Sequence, residues 1–151
     1  MLKLDRRTAA TLVSVNPRPQ KHGNENVTAI DIQLHGIPLS EEELGVVMQN
    51  DQAAKRLLIR KKGRPAEPVF GKVACVIPFM SKVDGVSAKI FLGRKLFSVT
   101  DAKLNRVRVE LRQGIIAWHI QIQCVPQLDE DHPIIEALLS KLGESIDVEI
   151  Q

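Results

Sequence analysis

Arg106, Arg108 and Arg112 recur at even spacing in the run Arg-Val-Arg-Val-Glu-Leu-Arg. A guanidinium offers phosphate oxygens a planar, bidentate fork, so three on one strand face can line a phosphate-binding surface. In a strand, residues two apart share a face. Val107, Val109 and Leu111 then pack with Ile116, Trp118, Ile120 and Ile122 of the run Ile115 to Val125, across a turn at Gln113-Gly114. The opposite face keeps the arginines with Glu110, His119, Gln121 and Gln123. The same pattern also describes a solvated strand face with cross-strand pairs.

Two further cationic groups accompany this stripe. Between Asn50 and Arg64 stand Lys55, Arg56, Arg60, Lys61, Lys62 and Arg64 against a single acid, Asp51, whereas residues 127–151 carry seven acids against Lys141. This bipolar layout suits head-to-tail self-association or a basic surface facing an anionic partner, and two solvated faces fit it equally. Arg18 and Lys21 lie in Asn16 to Asn26, which holds two prolines, a glycine and no large apolar side chain. That composition predicts an exposed loop.

Single-strand binding normally joins a cationic groove to stacking rings. The available rings are Phe70, Phe79, Phe91, Phe97 and Trp118, most of them in core-like settings, so contacts to the nucleic-acid backbone are favoured over base stacking. Other chemistries have less support. His22, His35, His119 and His132 lack ligand-like spacing, and there is no Cys-x-x-Cys pair. Asp129-Glu130-Asp131-His132 reads as an acidic approach to a helix N-terminus. No metal or other cofactor is expected. The nucleophile elbow, phosphate loop and dinucleotide fingerprint are all missing, which points away from an enzyme but leaves open a site assembled from distant residues.

The elements that must position these groups are mostly strands. Thr8 to Val15 and Val27 to His35 alternate, the latter with Ile30, Ile32 and Leu34 on one face and Asp31, Gln33 and His35 on the other. Ser40 and Glu43 form a capping-box pattern for a short helix, and Asp51 to Ile59 predicts another helical turn or two. Further strands are expected over Val69 to Ile77, Val86 to Leu92, Lys95 to Val99, Arg106 to Arg112 and Ile115 to Val125, with turn signals at Asp84-Gly85 and Gly93. Asp131 or His132 caps a last helix with Pro133 at its first position. Its apolar stripe is Ile135, Leu138, Leu139 and Leu142, and Gly143 closes it before the strand Ile146, Val148, Ile150.

At 151 residues, 44% hydrophobic and 26% charged, the chain has the balance of one packed domain, taken as residues 1–151. The expected fold is mainly β, an antiparallel sandwich or barrel with a short helical insertion and a C-terminal helix followed by a strand. Cys75 and Cys124 sit in alternating apolar runs and read as buried strand residues, with a disulfide between them left open. No apolar signal segment or membrane-length run is visible, so a cytoplasmic location with reduced thiols and no membrane association is expected.

The segment from Val15 to Gly23 (Val-Asn-Pro-Arg-Pro-Gln-Lys-His-Gly), followed by Ala29-Ile30-Asp31-Ile32, resembles a pattern in uncharacterised early-region proteins of tailed phages and prophages. The leucine-rich helix end and alternating strand from Leu138 to Ile150 extend the resemblance, which covers the two ends of the chain and little of its middle. It implies a phage-type protein in a bacterial host, in the context of DNA recombination and replication, and assigns no residue a role. The expectation is a non-enzymatic protein that engages single- or double-stranded nucleic acid, or an assembly that processes it, through a basic surface. The rival is a protein-interaction or structural module, such as an oligomeric adaptor or an inhibitor of a host defence enzyme.

Overall fold

Apolar and polar residues alternate over long stretches of this chain, and strands of unusual length result. The computed structural model describes residues 4–71, 75–78, 82–126 and 128–151; the side chains of residues 4, 5, 20, 22, 26, 75, 128–132 and 134 lie outside the description. The first hairpin joins β1 (Leu4–His22) to β2 (Glu25–Pro38). Two short helices, α1 (Glu41–Val47) and α2 (Ala53–Leu57), lead into the small pair β3 (Leu58–Ile59) and β4 (Glu67–Pro68). Then come β5 (Cys75–Pro78), β6 (Val83–Leu92), β7 (Lys95–Arg112) and β8 (Ile115–Cys124). The chain finishes with α3 (Leu128–Leu139) and β9 (Ser145–Ile150).

Six antiparallel strands are bonded in the cyclic order β7-β6-β9-β1-β2-β8 and back to β7, with β5 added beside β7. The expected antiparallel β architecture therefore takes the form of a barrel-like ring. β7 closes it because it is long enough to serve two neighbours in turn. Its residues from Lys95 to Leu104 pair with β6, and those from Lys103 to Arg112 pair with β8. Leu104 is where the two zones overlap, opposite Val83 on one side and Ile122 on the other.

Inward-facing residues of all six strands form one cluster that includes Leu12, Ile32, Leu34, Ile90, Phe97, Leu104, Val109, Trp118, Ile122 and Val148. The helices add Leu44, Val47, Ala53 and Leu138 to it. Burying each such side chain contributes roughly 1.5–3 kcal/mol, so the ring's interior is the main source of stability. Val107, Val109, Leu111, Trp118, Ile120 and Ile122 are all buried, as the alternation of the β7–β8 hairpin predicts. Among the described residues no helix is long and apolar enough to cross a membrane.

The structure corrects the reading of Asn16 to Asn26 as a loop. This segment is the far end of the β1–β2 hairpin, closed by the two-residue turn Gly23-Asn24 with Gly23 at φ 65°. Pro17 and Pro19 fit because β1 pairs with β9 only as far as Thr11, and beyond Leu12, which bonds to Gly143 and Glu144, no strand pairs with that edge among the described residues. An edge tolerates proline wherever the missing N–H would have faced outward. Similarly, Lys95 to Val99 and Arg106 to Arg112 are one strand, bent by positive φ at Asp101 (54°) and Arg106 (48°). Asp84-Gly85 is an irregularity within β6 rather than a turn, and Val69 to Gly71 lie outside any strand.

Ser40 makes the expected capping box: the Glu43 amide donates to Ser40 Oγ (3.0 Å) and the Ser40 amide to Glu43 Oε1 (2.9 Å). Burial pushes the Glu43 carboxyl up, but hydrogen bonds from Arg6 and Ser40 outweigh it and hold the group below its ordinary value. α3 starts at Leu128, so Pro133 lies inside it and not at its first position. Of the expected stripe Leu138 is fully buried, whereas Leu139 and Leu142 are 44% exposed. Gly143, at φ 81°, ends the turn and donates to the Leu12 carbonyl (2.7 Å). Cys124 is buried; the side chain of Cys75, and so the question of a pairing, lies outside the description.

Truncating Leu104 to alanine removes packing at the point of ring closure. A loss of about 2–5 kcal/mol in urea unfolding is expected, against under about 0.5 kcal/mol for the exposed control Lys95→Ala.

Candidate functional site

Outward-facing residues of β2, β8 and β7 lie side by side because the register aligns them. Asp31 stands opposite Gln123 and Gln123 opposite Lys103, while Gln33 stands opposite Gln121 and Gln121 opposite Asn105. Gln121 is 96% buried by neighbours on this outer face (4% exposed) and accepts from Gln33 Nε2 at 3.3 Å. Beyond this row the β7–β8 register slips, so that Arg106 and Val107 together oppose Ile120. Such a bulge resets the alternation: Asn105 and Arg106 follow one another outside, Val107 turns in, and Arg108 returns outside. Holding a non-glycine residue at positive φ costs on the order of 1–2 kcal/mol, which the paired strands on either side must offset.

Gln33, His35, Pro78, Arg106, Arg108 and Gln121 line a cleft of about 450 Å³ over this bulge. Its polar groups are linked. Arg108 Nη2 donates to His35 Nε2 at 3.1 Å, the His35 and His119 rings meet edge to face at 4.7 Å, and His119 Nε2 lies 2.9 Å from Glu110 Oε2. Glu110 also receives Arg112 Nε at 3.1 Å. The amide of Gly36 donates to His119 Nδ1 at 3.0 Å.

These partners decide where the protons sit. A guanidinium has no acceptor, so His35 Nε2 must carry a lone pair, and the ring is neutral with its proton on Nδ1. A backbone amide likewise only donates, so His119 Nδ1 is the acceptor and Nε2–H donates to Glu110. Burial, then the neighbouring His119 and Arg108, hold the His35 imidazolium below its ordinary value of 6.5, against a smaller opposing pull from Glu110. His119 uses both nitrogens and His35 uses its only lone pair, leaving neither poised as a general base. The cleft presents mainly donors, which suits an anion.

The predicted cationic residues divide between several places. Arg106 and Arg108 share the cleft, and neither pairs with a carboxylate among the described residues. Arg112 is held by Glu110, and Arg18 lies on β1 with its Nε 2.9 Å from Asp31. Arg18, Lys82, Thr100, Asp101, Lys103 and Gln123 border a second cleft of about 590 Å³ on the same outer face. Lys21 is exposed near the hairpin tip. Arg60 pairs with Glu41, and Lys55 lines a cleft with Glu41, Glu42 and Asp51. Arg56, Lys61, Lys62 and Arg64 are exposed. The loop bearing the last three packs on the β7–β8 turn, where the Gly114 amide donates to the Ala66 carbonyl (2.9 Å).

No protein-family model, curated protein or solved structure matches the chain. Among the described residues no group of three or more His, Cys, Asp or Glu side chains is placed to hold a metal ion. Sequence reasoning had not joined His35, Gln33, Lys82 and Lys103 to the arginine stripe. The alternation of Val27 to His35 did put Gln33 and His35 on one face, but only the β2–β8 register brings that face to the arginines.

Lowering the His35 value makes stability depend on pH. The unfolded chain takes up this proton more readily, so the contribution is fully present above about pH 6.5 and is lost as pH falls through the lower folded value. The melting temperature is expected to drop from pH 7.5 to pH 5, with a shallower drop in His35→Gln. Equal slopes in the two proteins would contradict the assignment.

Proposed function

We propose that the chain is a non-enzymatic binding protein that engages the phosphate backbone of nucleic acid with the outer face of β8 and β7. One observation carries this reading: Arg106 and Arg108, without carboxylate partners among the described residues, flank a donor-rich cleft. The second cleft adds Lys82 on the same face, together with Arg18 and Lys103, which are paired there with Asp31 and Asp84. Among the described residues neither cleft is lined by Phe or Trp, which favours phosphate contacts over base stacking. The resemblance to phage early-region proteins fits this role in the cytoplasm of a bacterial host.

Fluorescence anisotropy with a labelled thymidine oligonucleotide tests the reading. Affinity should fall with salt, at a slope of about 0.7 per neutralised phosphate for a single strand. The double substitution Arg106→Ala, Arg108→Ala should weaken binding by about tenfold or more and flatten that slope. Absence of binding at low ionic strength to both single- and double-stranded DNA would sink the reading.

A second reading, a protein-interaction or structural module, is favoured by Phe70, which is 61% exposed beside the β3–β4 pair where Ile59 and Val69 are also exposed. It predicts a defined oligomer in light scattering that Phe70→Ser dissociates. A monomer at every concentration argues against self-association.

A further inference from the structure

Resting on the nucleic-acid reading, we infer that the cleft of Gln33, His35, Arg106, Arg108 and Gln121 is a single-phosphodiester subsite, and that it takes its phosphate together with a proton on His35. In the resting arrangement one of the Arg108 donors is spent on His35 Nε2, and the neutral ring contributes no charge to the cleft. Protonation of Nε2 removes that acceptor and sets two cations side by side. The hydrogen bond to Arg108 is lost and the guanidinium is repelled toward the cleft. An anion seated between Arg106 and Arg108 relieves this repulsion, and the imidazolium adds a third positive group to its surroundings.

The groups facing His35 from each packed element support this coupling. From β7 come Arg106, Arg108 and Glu110; from β8, His119 and Gln121; from β2, Gln33; and from β5, Pro78. Glu110 is the one carboxylate among them, and it is already shared between His119 and Arg112. An imidazolium at His35 therefore has no carboxylate of its own among the described residues, and a phosphodiester supplies the missing counter-charge. Linkage is reciprocal: if the proton strengthens phosphate binding, phosphate raises the affinity of His35 for the proton by the same factor. His119 cannot play this part without breaking the Gly36 amide bond to its Nδ1.

The test is the affinity of a thymidine oligonucleotide between pH 8 and pH 5.5 at fixed salt, a range over which thymine and phosphodiester keep constant charge. Circular dichroism at each pH checks that the protein remains folded. The wild type is expected to bind about fivefold to tenfold more tightly at pH 5.5, the size of one added close charge. His35→Gln should bind with a flat profile, and His119→Gln should retain the step. In parallel, the His35 ring signals in NMR should titrate at higher pH when the oligonucleotide is present. Binding that is equally pH-independent in wild type and His35→Gln overturns the proton coupling while leaving the nucleic-acid reading intact. A pH step that survives in His35→Gln also overturns it, and absence of binding at every pH overturns both.

Discussion

Ring closure depends on one strand being bonded along both edges. β7 hands its N-terminal half to β6 and its C-terminal half to β8, and Leu104 sits where the two pairings overlap. Without that overlap the six strands would form an open sheet with two long unpaired edges, and the interior side chains of β6 and β8 would lose their common wall. A strand this long cannot stay straight while following a curved surface. Its bends at Asp101 and Arg106 are backbone distortions that the bonded neighbours hold in place.

The candidate site lies next to the point of closure. β7 bulges against β8 just past the point of closure, and the bulge places Asn105 and Arg106 next to each other on the outside, with Arg108 only two residues further on. Three polar side chains thus crowd a stretch where regular alternation would have provided two. The cleft therefore lies over one of the two places where β7 departs from regular strand geometry.

How far the sequence revealed this depends on the range of the interactions involved. Local signals were readable: the Ser40 capping box, the Gln113-Gly114 turn, the inward and outward faces of β8 and the glycine closing the turn after α3 all follow from neighbours within a few residues. The ends of β1 and the unity of β7 were not readable. Pro17 and Pro19 mark a loop unless it is known that their edge has no partner, and that knowledge lies in the β1–β9 pairing with residues near the opposite end of the chain. His35 was recognisable as an outward strand residue, but its partner Arg108 is 73 positions away. Only the strand order makes them neighbours.

The prolines of β1 also bear on solubility. Beyond Leu12 one edge of the hairpin is paired with no other strand among the described residues, the kind of rim on which a second chain can add itself as a further strand. A pair of imide nitrogens two residues apart breaks the regular row of donors such a guest would need. The residues that disguise this segment as a loop therefore also keep it from serving as a template, and the ribbon can remain extended without recruiting copies of itself.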